Sequence, residues 1–188
     1  MGAGLEGARA IFESFVSAGG TTFDVSNIYQ DGEAETVLGD LLGRERDDYV
    51  VIAKYSGSRS VQVRPGTTGN SRKTMIRSLE ETLRRLKTDY VDVFMPHFPD
   101  GVIPISEILG GFEDLIRAGK IRYGGLPNFP AWRVAGAAVR SELNGDRSLV
   151  GIQTEYSLAE RSGSGNSSRW PKHMGWASFS IPRWQAVC

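Results

Sequence analysis

Cysteine is all but absent: Cys188, the last residue, is the only one. A single thiol excludes an intramolecular disulfide and a cysteine-based metal cluster, and no metal site is expected. An excess of either charge is also missing, since Lys plus Arg and Asp plus Glu each number 22. With no dense basic run, the chain offers a nucleic acid no electrostatic footprint. No apolar stretch approaches the ~20 residues that span a bilayer. The first residues, MGAGLE, lack a charged leader followed by an apolar block, so no secretory signal is expected. Glu6 stands where a myristoylation signal needs Ser or Thr. These absences lead to an expected cytoplasmic location, with neither membrane nor nucleic acid as partner.

The sequence holds an ordinary globular composition, 40% hydrophobic and 23% charged over 188 residues. That length suits one domain burying roughly 70% of the surface its unfolded chain exposes. Leu5, Ala8, Phe12 and Phe15 recur at helical spacing, and Ala18-Gly19-Gly20 ends that helix. Thr21 to Val25 is a short β-prone run. Asp31-Gly32-Glu33 opens a second helix with acidic residues at its positive end, and Val37, Leu38, Leu41 and Leu42 form its stripe before Gly43 stops it. Tyr49 to Ala53, YVVIA, is apolar throughout, as a strand buried on both faces must be.

The alternation then repeats. Ser56 to Asn70 is loop, and Ser71 caps a long helix with Ile76, Leu79, Leu83 and Leu86 on its core face. Tyr90 to Met95 is a strand. Pro104 fits the first turn of a helix built on Ile108, Phe112 and Leu115, ended by Gly119. Ile121 to Gly125 is a strand, Ala131 to Leu143 a helix, and Leu149 to Thr154 a strand. Strands alternating with helices at intervals of roughly 30 residues predict βαβ units and a parallel sheet. Residues 162–188 break the pattern with a Gly/Ser/Asn stretch and then Trp170, Pro171, Trp176, Pro182 and Trp184. This tail is expected to be poorly ordered; the alternative is that it docks on the domain or a partner through its tryptophans.

Ligands of parallel α/β proteins bind beyond the carboxyl ends of the strands. The polar residues there are Asp24 with Tyr29 just after it, Lys54, His97, Asn128 and Gln153. Lys54 closes an apolar strand and needs a partner to offset its desolvation, for which Asp24 is the natural candidate. Taken singly, Asp24 and Lys54 could be only a structural ion pair, Tyr29 a half-buried loop aromatic and His97 a satisfied core histidine. Asp92 and Asp100 are expected to be solvent-facing or loop carboxylates, Trp132 a helix-packing residue, and Gly124-Gly125 a close-packing pair too short for a dinucleotide fingerprint.

The blocks FDVSNIYQDGEAETVLG, VVIAK, SRKTMIRSLEETLRRLKTDYVDVFMPH, LIRAGKIRYGGLPNF and GIQTEYSL resemble, in order and spacing, the aldo-keto reductases over roughly residues 5 to 161. The resemblance implies a partial (β/α)8 (TIM) barrel of about five parallel strands with intervening helices over 1–161. It implies a catalytic tetrad of Asp24, Tyr29, Lys54 and His97, with NADPH as cofactor and an aldehyde or ketone as substrate. Tyr29 would give the carbonyl oxygen its proton, Lys54 would stabilise the phenolate left behind, Asp24 would hold Lys54, and His97 would orient the carbonyl. Asn128 and Gln153 would hold the nicotinamide carboxamide, and Asp24 too belongs to the cofactor-side set.

Three departures from the family stand out. Pro127 replaces the serine before the asparagine, removing a hydroxyl and a backbone donor. The family's first strand is missing, and the likeness ends before its last two strands, with the residues that stack on the nicotinamide and grip the 2′-phosphate. A barrel so truncated at both ends exposes open sheet edges. It is expected to be marginally stable, self-associating, or dependent on something else for closure. Two alternatives to a reductase follow: a catalytically inactive fragment or regulatory subunit that uses the fold without turnover, and a different barrel enzyme with a Schiff base at Lys54.

Overall fold

The computed structural model describes residues 4–58, 62–63, 66–146, 149–155 and 177–181. In chain order the elements are α1 (Gly4–Ser17), β1 (Thr22–Ser26), α2 (Glu33–Leu42), β2 (Val50–Tyr55), α3 (Arg72–Leu86), β3 (Val91–Pro96), α4 (Ile105–Arg117), β4 (Ile121–Pro127), α5 (Ala131–Asn144), β5 (Leu149–Glu155) and β6 (Ala177–Ile181). The strands form one sheet in the order β1-β2-β3-β4-β5-β6. Every neighbouring pair is parallel. This is the partial (β/α)8 barrel of the sequence, with its five expected strands and one more.

The extra strand lies in the segment expected to be a poorly ordered tail. Gly151 pairs with Ala177 and Glu155 with Ile181. The rest of 162–188, including Trp170, Trp176 and Trp184, lies outside the described residues.

The local devices work largely as the residue types require. Ser71 Oγ accepts a hydrogen bond from the Thr74 N–H at 3.3 Å, capping α3. Gly43 closes α2, and Pro104 sits one position before α4 rather than in its first turn. Met75, Leu79, Leu83 and Leu86 form the buried stripe of α3, whereas Ile76, expected on that stripe, is 38% exposed. These side chains, with Ile108, Phe112 and Leu115 of α4 and Val134 and Ala137 of α5, pack against Val51, Ala53, Tyr55 and Phe94 to form the main core. Phe12 of α1 stacks on Phe23 of β1 at 4.9 Å between ring centres.

The Gly124-Gly125 pair is the close-packing feature expected. A methyl group on Gly124 would run into the ring of Phe112, and one on Gly125 would lie 2.8 Å from Met95 Cε.

A much smaller cluster of Ile52, Val93 and Met95, joined by Val150, draws on strands alone. Register explains it: Asp24, Ile52 and Val93 form one cross-strand row, and Ser26, Lys54 and Met95 form the next. In-register residues of parallel strands project to the same side of a sheet. The face bearing Ile52 and Met95 is therefore also the face bearing Asp24, Ser26 and Lys54.

Asp92 departs from its expected exposed position. It accepts from Arg46 Nη2 at 2.7 Å and from the Val51 N–H at 2.8 Å. Arg46 also donates to the Tyr49 carbonyl at 2.7 Å and lies over the Tyr90 ring, as does Arg122. This network ties together the amino-terminal ends of β2 and β3, opposite the candidate site, where a barrel keeps its stabilising contacts.

Candidate active site

Lys54 is the centre of the arrangement. It is 1% exposed, and an ammonium so buried survives only with partners that replace its water. Its Nζ donates to Asp24 Oδ1 and, at 3.3 Å, to Tyr29 Oη. The other oxygen of Asp24 accepts from Gln153 Nε2 at 2.7 Å. One carboxylate thus joins a residue of β2 to a residue of β5 while staying one-third exposed itself.

Tyr29 follows β1 on a tight turn. Gln30, Asp31 and Gly32 all take left-handed backbone angles, with φ of 49°, 55° and 84°. Such angles cost roughly 1–2 kcal/mol at each residue with a side chain. The turn ends where α2 begins, and it leaves Tyr29 36% exposed on the rim.

His97 follows β3, its backbone N–H donating to the Tyr55 carbonyl at 2.7 Å. Its ring meets that of Tyr29 edge-on at 5.6 Å between centres. Burial lowers its pKa from 6.5 to about 4, helped by the Lys54 ammonium and opposed by Asp24. At neutral pH the imidazole is uncharged and can still donate one hydrogen bond.

The four residues singled out as a tetrad therefore come together. Asn128 and Gln153 also adjoin each other, since the Asn128 N–H donates to the Gln153 carbonyl at 2.8 Å. Asn128 is exposed with φ 54°, a left-handed angle that asparagine tolerates better than most residues. Gln153 is 3% exposed, and its Oε1 is buried without a hydrogen-bond partner among the described residues.

Trp132 is not a packing residue. It stands 75% exposed on the rim of a cleft of about 630 Å³ that Val102, Pro104 and Pro130 also line. Asp100, by contrast, is the loop carboxylate expected, accepting the N–H groups of Asn70 at 2.7 Å and Ile103 at 2.9 Å.

Two contributors escaped the sequence. Ser26 is fully buried with its Oγ 2.9 Å from His97 Nδ1; period-two alternation from Asp24 was the only hint of it. Ser56 Oγ accepts the His97 N–H at 3.3 Å and donates to Asn70 Oδ1 at 2.5 Å. Asn70 Nδ2 in turn donates to the Phe98 carbonyl at 2.9 Å, so the backbone around His97 is held from the β2 side. Among the described residues, no group of acidic, histidine or cysteine side chains could hold a metal ion. No helix among them is long and apolar enough to cross a membrane.

Parallel βα units in sequential strand order, curled until side chains of β1 and β5 meet, make this a partial barrel of the (β/α)8 class. The family model for the aldo/keto reductase family matches residues 5–167, and the chain belongs to that family. It is 31% identical over 192 residues to an aryl-alcohol dehydrogenase [NADP(+)] of Phanerodontia chrysosporium, covering 97% of this chain and 49% of that protein. It is 34% identical to norsolorinic acid reductase B of Aspergillus parasiticus, covering 83% and 42%. A putative voltage-gated potassium channel subunit beta of Schizosaccharomyces pombe is 40% identical over 116 residues, covering 60% and 33%. The chain thus spans half or less of the length of these curated relatives.

Proposed function

We propose that this chain carries the proton-donating site of an NADPH-dependent reductase that converts an aldehyde or ketone to an alcohol. The observation that carries the proposal is the position of Lys54 Nζ, shared between Asp24 Oδ1 and Tyr29 Oη. Negative charge left on the Tyr29 oxygen after it gives up a proton would be met by that ammonium. Asp24 keeps the ammonium in place through a charge-assisted hydrogen bond. His97, neutral around pH 7, has no surplus proton and serves as a hydrogen-bond donor to the carbonyl oxygen. Tyr29 is then the proton source.

The residues present fit a nicotinamide. Its carboxamide offers one donor group and one acceptor. Gln153 Oε1, without a hydrogen-bond partner among the described residues, can take the donor, and the exposed side chain of Asn128 can serve the acceptor. When bound, the reduced ring supplies hydride to the carbonyl carbon. An NADP-type cofactor also agrees with the name of the aryl-alcohol dehydrogenase relative.

The test is turnover of NADPH with aromatic and aliphatic aldehydes by the wild-type chain and by Tyr29→Phe. The variant should bind cofactor normally and lose roughly 10²–10⁴ in kcat. Equal turnover in both would remove Tyr29 from its role.

A second possibility, a fold used without turnover, is favoured by Pro127. This residue is buried at the end of β4, where it removes a backbone donor beside Asn128. Under that alternative NADPH quenches no fluorescence even at millimolar concentration, and Pro127→Ser does not restore binding. Under the reductase proposal Pro127→Ser tightens NADPH binding by about two- to tenfold, the worth of one hydrogen bond.

A further inference from the structure

We infer that Ser26 is a positioning residue that fixes His97 in the tautomer carrying its proton on Nε2. This rests on the reductase proposal only for its consequence, because the contact exists whatever the chain turns over. Ser26 ends β1, fully buried, in the same cross-strand row as Lys54. Its Oγ lies 2.9 Å from Nδ1 of His97, 71 residues further along.

A serine hydroxyl has one proton and two acceptor positions. The Ile28 N–H approaches the Ser26 oxygen at 3.5 Å, on the accepting side. The hydroxyl proton goes either to His97 Nδ1 at 2.9 Å, or to Asn27 Oδ1 at 3.3 Å with an Nδ1–H then donating to Ser26 Oγ. Asn27 is oriented with its oxygen toward Ser26, because its Nδ2 donates to the Gly57 carbonyl at 3.1 Å. An O–H···O bond at 3.3 Å lies beyond the usual 2.5–3.0 Å range, which disfavours the second arrangement, and we assign the first. Nδ1 then accepts, and in a neutral imidazole the proton must sit on Nε2.

That assignment matters for chemistry. With Nε2–H, the ring nitrogen not engaged by Ser26 is a donor, the form able to hydrogen-bond a carbonyl oxygen. With the proton on Nδ1, the same nitrogen would be an acceptor and would repel that oxygen. Ser26 touches no reacting atom itself and acts through His97.

Nitrogen NMR of the imidazole tests this directly. The chain has two histidines, His97 and His173, so His173→Gln leaves only the signals of interest. In the ¹⁵N-labelled full chain near neutral pH, Nδ1 should resonate as an unprotonated nitrogen and Nε2 as a protonated one. Ser26→Ala should move both shifts toward the tautomer average, and Ser26→Thr should restore them. If Ser26→Ala fails to fold, Ser26→Cys, whose thiol is a weak donor, is read in its place.

A protonated Nδ1 in the wild-type chain, or shifts unchanged in the Ala or Cys variant, would overturn the inference. The readout needs neither cofactor nor turnover, so it separates from the proposed activity. Where turnover is present, Ser26→Ala should lower kcat about two- to tenfold, as the loss of one hydrogen bond's orienting effect would. KM should stay unchanged. Absent turnover alongside the expected shifts would sink the reductase proposal and leave this inference standing.

Discussion

Asp24 and Gln153 stand 129 residues apart in sequence, yet Gln153 Nε2 donates to Asp24 Oδ2 at 2.7 Å. They belong to β1 and β5, which three strands separate in the sheet order. A side-chain bond between such distant strands requires the sheet to curl. Gln153→Leu keeps the volume and removes the bond, so it should lower stability by about 1 kcal/mol. Chemical denaturation would measure that loss.

The Asp24–Lys54 pair should respond unequally to loss of either half. Lys54 is 1% exposed, whereas the Asp24 side chain is 33% exposed. Asp24→Asn strands a buried ammonium, and unfolding in urea should show a loss of about 3 kcal/mol or more. Lys54→Met leaves a carboxylate that water can solvate, and the loss should be below about 1 kcal/mol. Equal losses would mean that Lys54 is solvated in a way its burial does not indicate.

His97 gives a pH signature. Its pKa falls from 6.5 to about 4 on folding, chiefly through burial and then the Lys54 charge, against the pull of Asp24. Between those values the unfolded chain binds a proton that the folded chain refuses. Stability should therefore fall as pH drops from 6.5 toward about 4 and gain nothing further above that window. Comparing unfolding midpoints of wild type and His97→Asn across the window isolates this contribution from that of the carboxylates. A gap between the two proteins that is independent of pH would exclude it.

Gly124 should not tolerate a side chain. Its missing Cβ is the space occupied by the Phe112 ring. Gly124→Ala should cost about 1–3 kcal/mol through overpacking. Combining it with Phe112→Leu should recover part of that loss in a double-mutant cycle of thermal unfolding. Purely additive effects would show that the two residues do not share the space.

The sequence made the framework legible wherever burial leaves a strong period. YVVIA became β2 because both faces of that strand are covered, one by helices and one by the Ile52 cluster. Ile76 misled because its neighbour Met75 fits the same three- and four-residue steps one position round the helix; α3 turned that way buries methionine. β6 was invisible for a different reason. Its five residues, ASFSI, are too short and too rich in small polar types to separate from the surrounding irregular sequence.

The site was legible in its charged and aromatic members, whose placement at strand ends has few uses. Ser26 was not, because a serine near a strand end has many, and its partner is 71 residues away. Asp92 was misplaced for the same cause: only its pairing with Arg46, 46 residues earlier, makes it a structural residue. Trp132 is large and apolar, and nothing local announces that it will face solvent.

The unequal division of the apolar residues has a consequence for how this protein can vary. Among the described residues, most of the buried apolar side chains lie between helices and the outer side of the sheet, while the inner side carries the small Ile52, Val93 and Met95 cluster beside Asp24, Ser26 and Lys54. Substitutions at Ile52, Val93 or Met95 disturb a cluster that strands alone supply, whereas substitutions at Leu79 or Phe112 disturb the contact between helices and sheet. The two sides of the sheet can therefore drift separately, because different sets of side chains make their contacts.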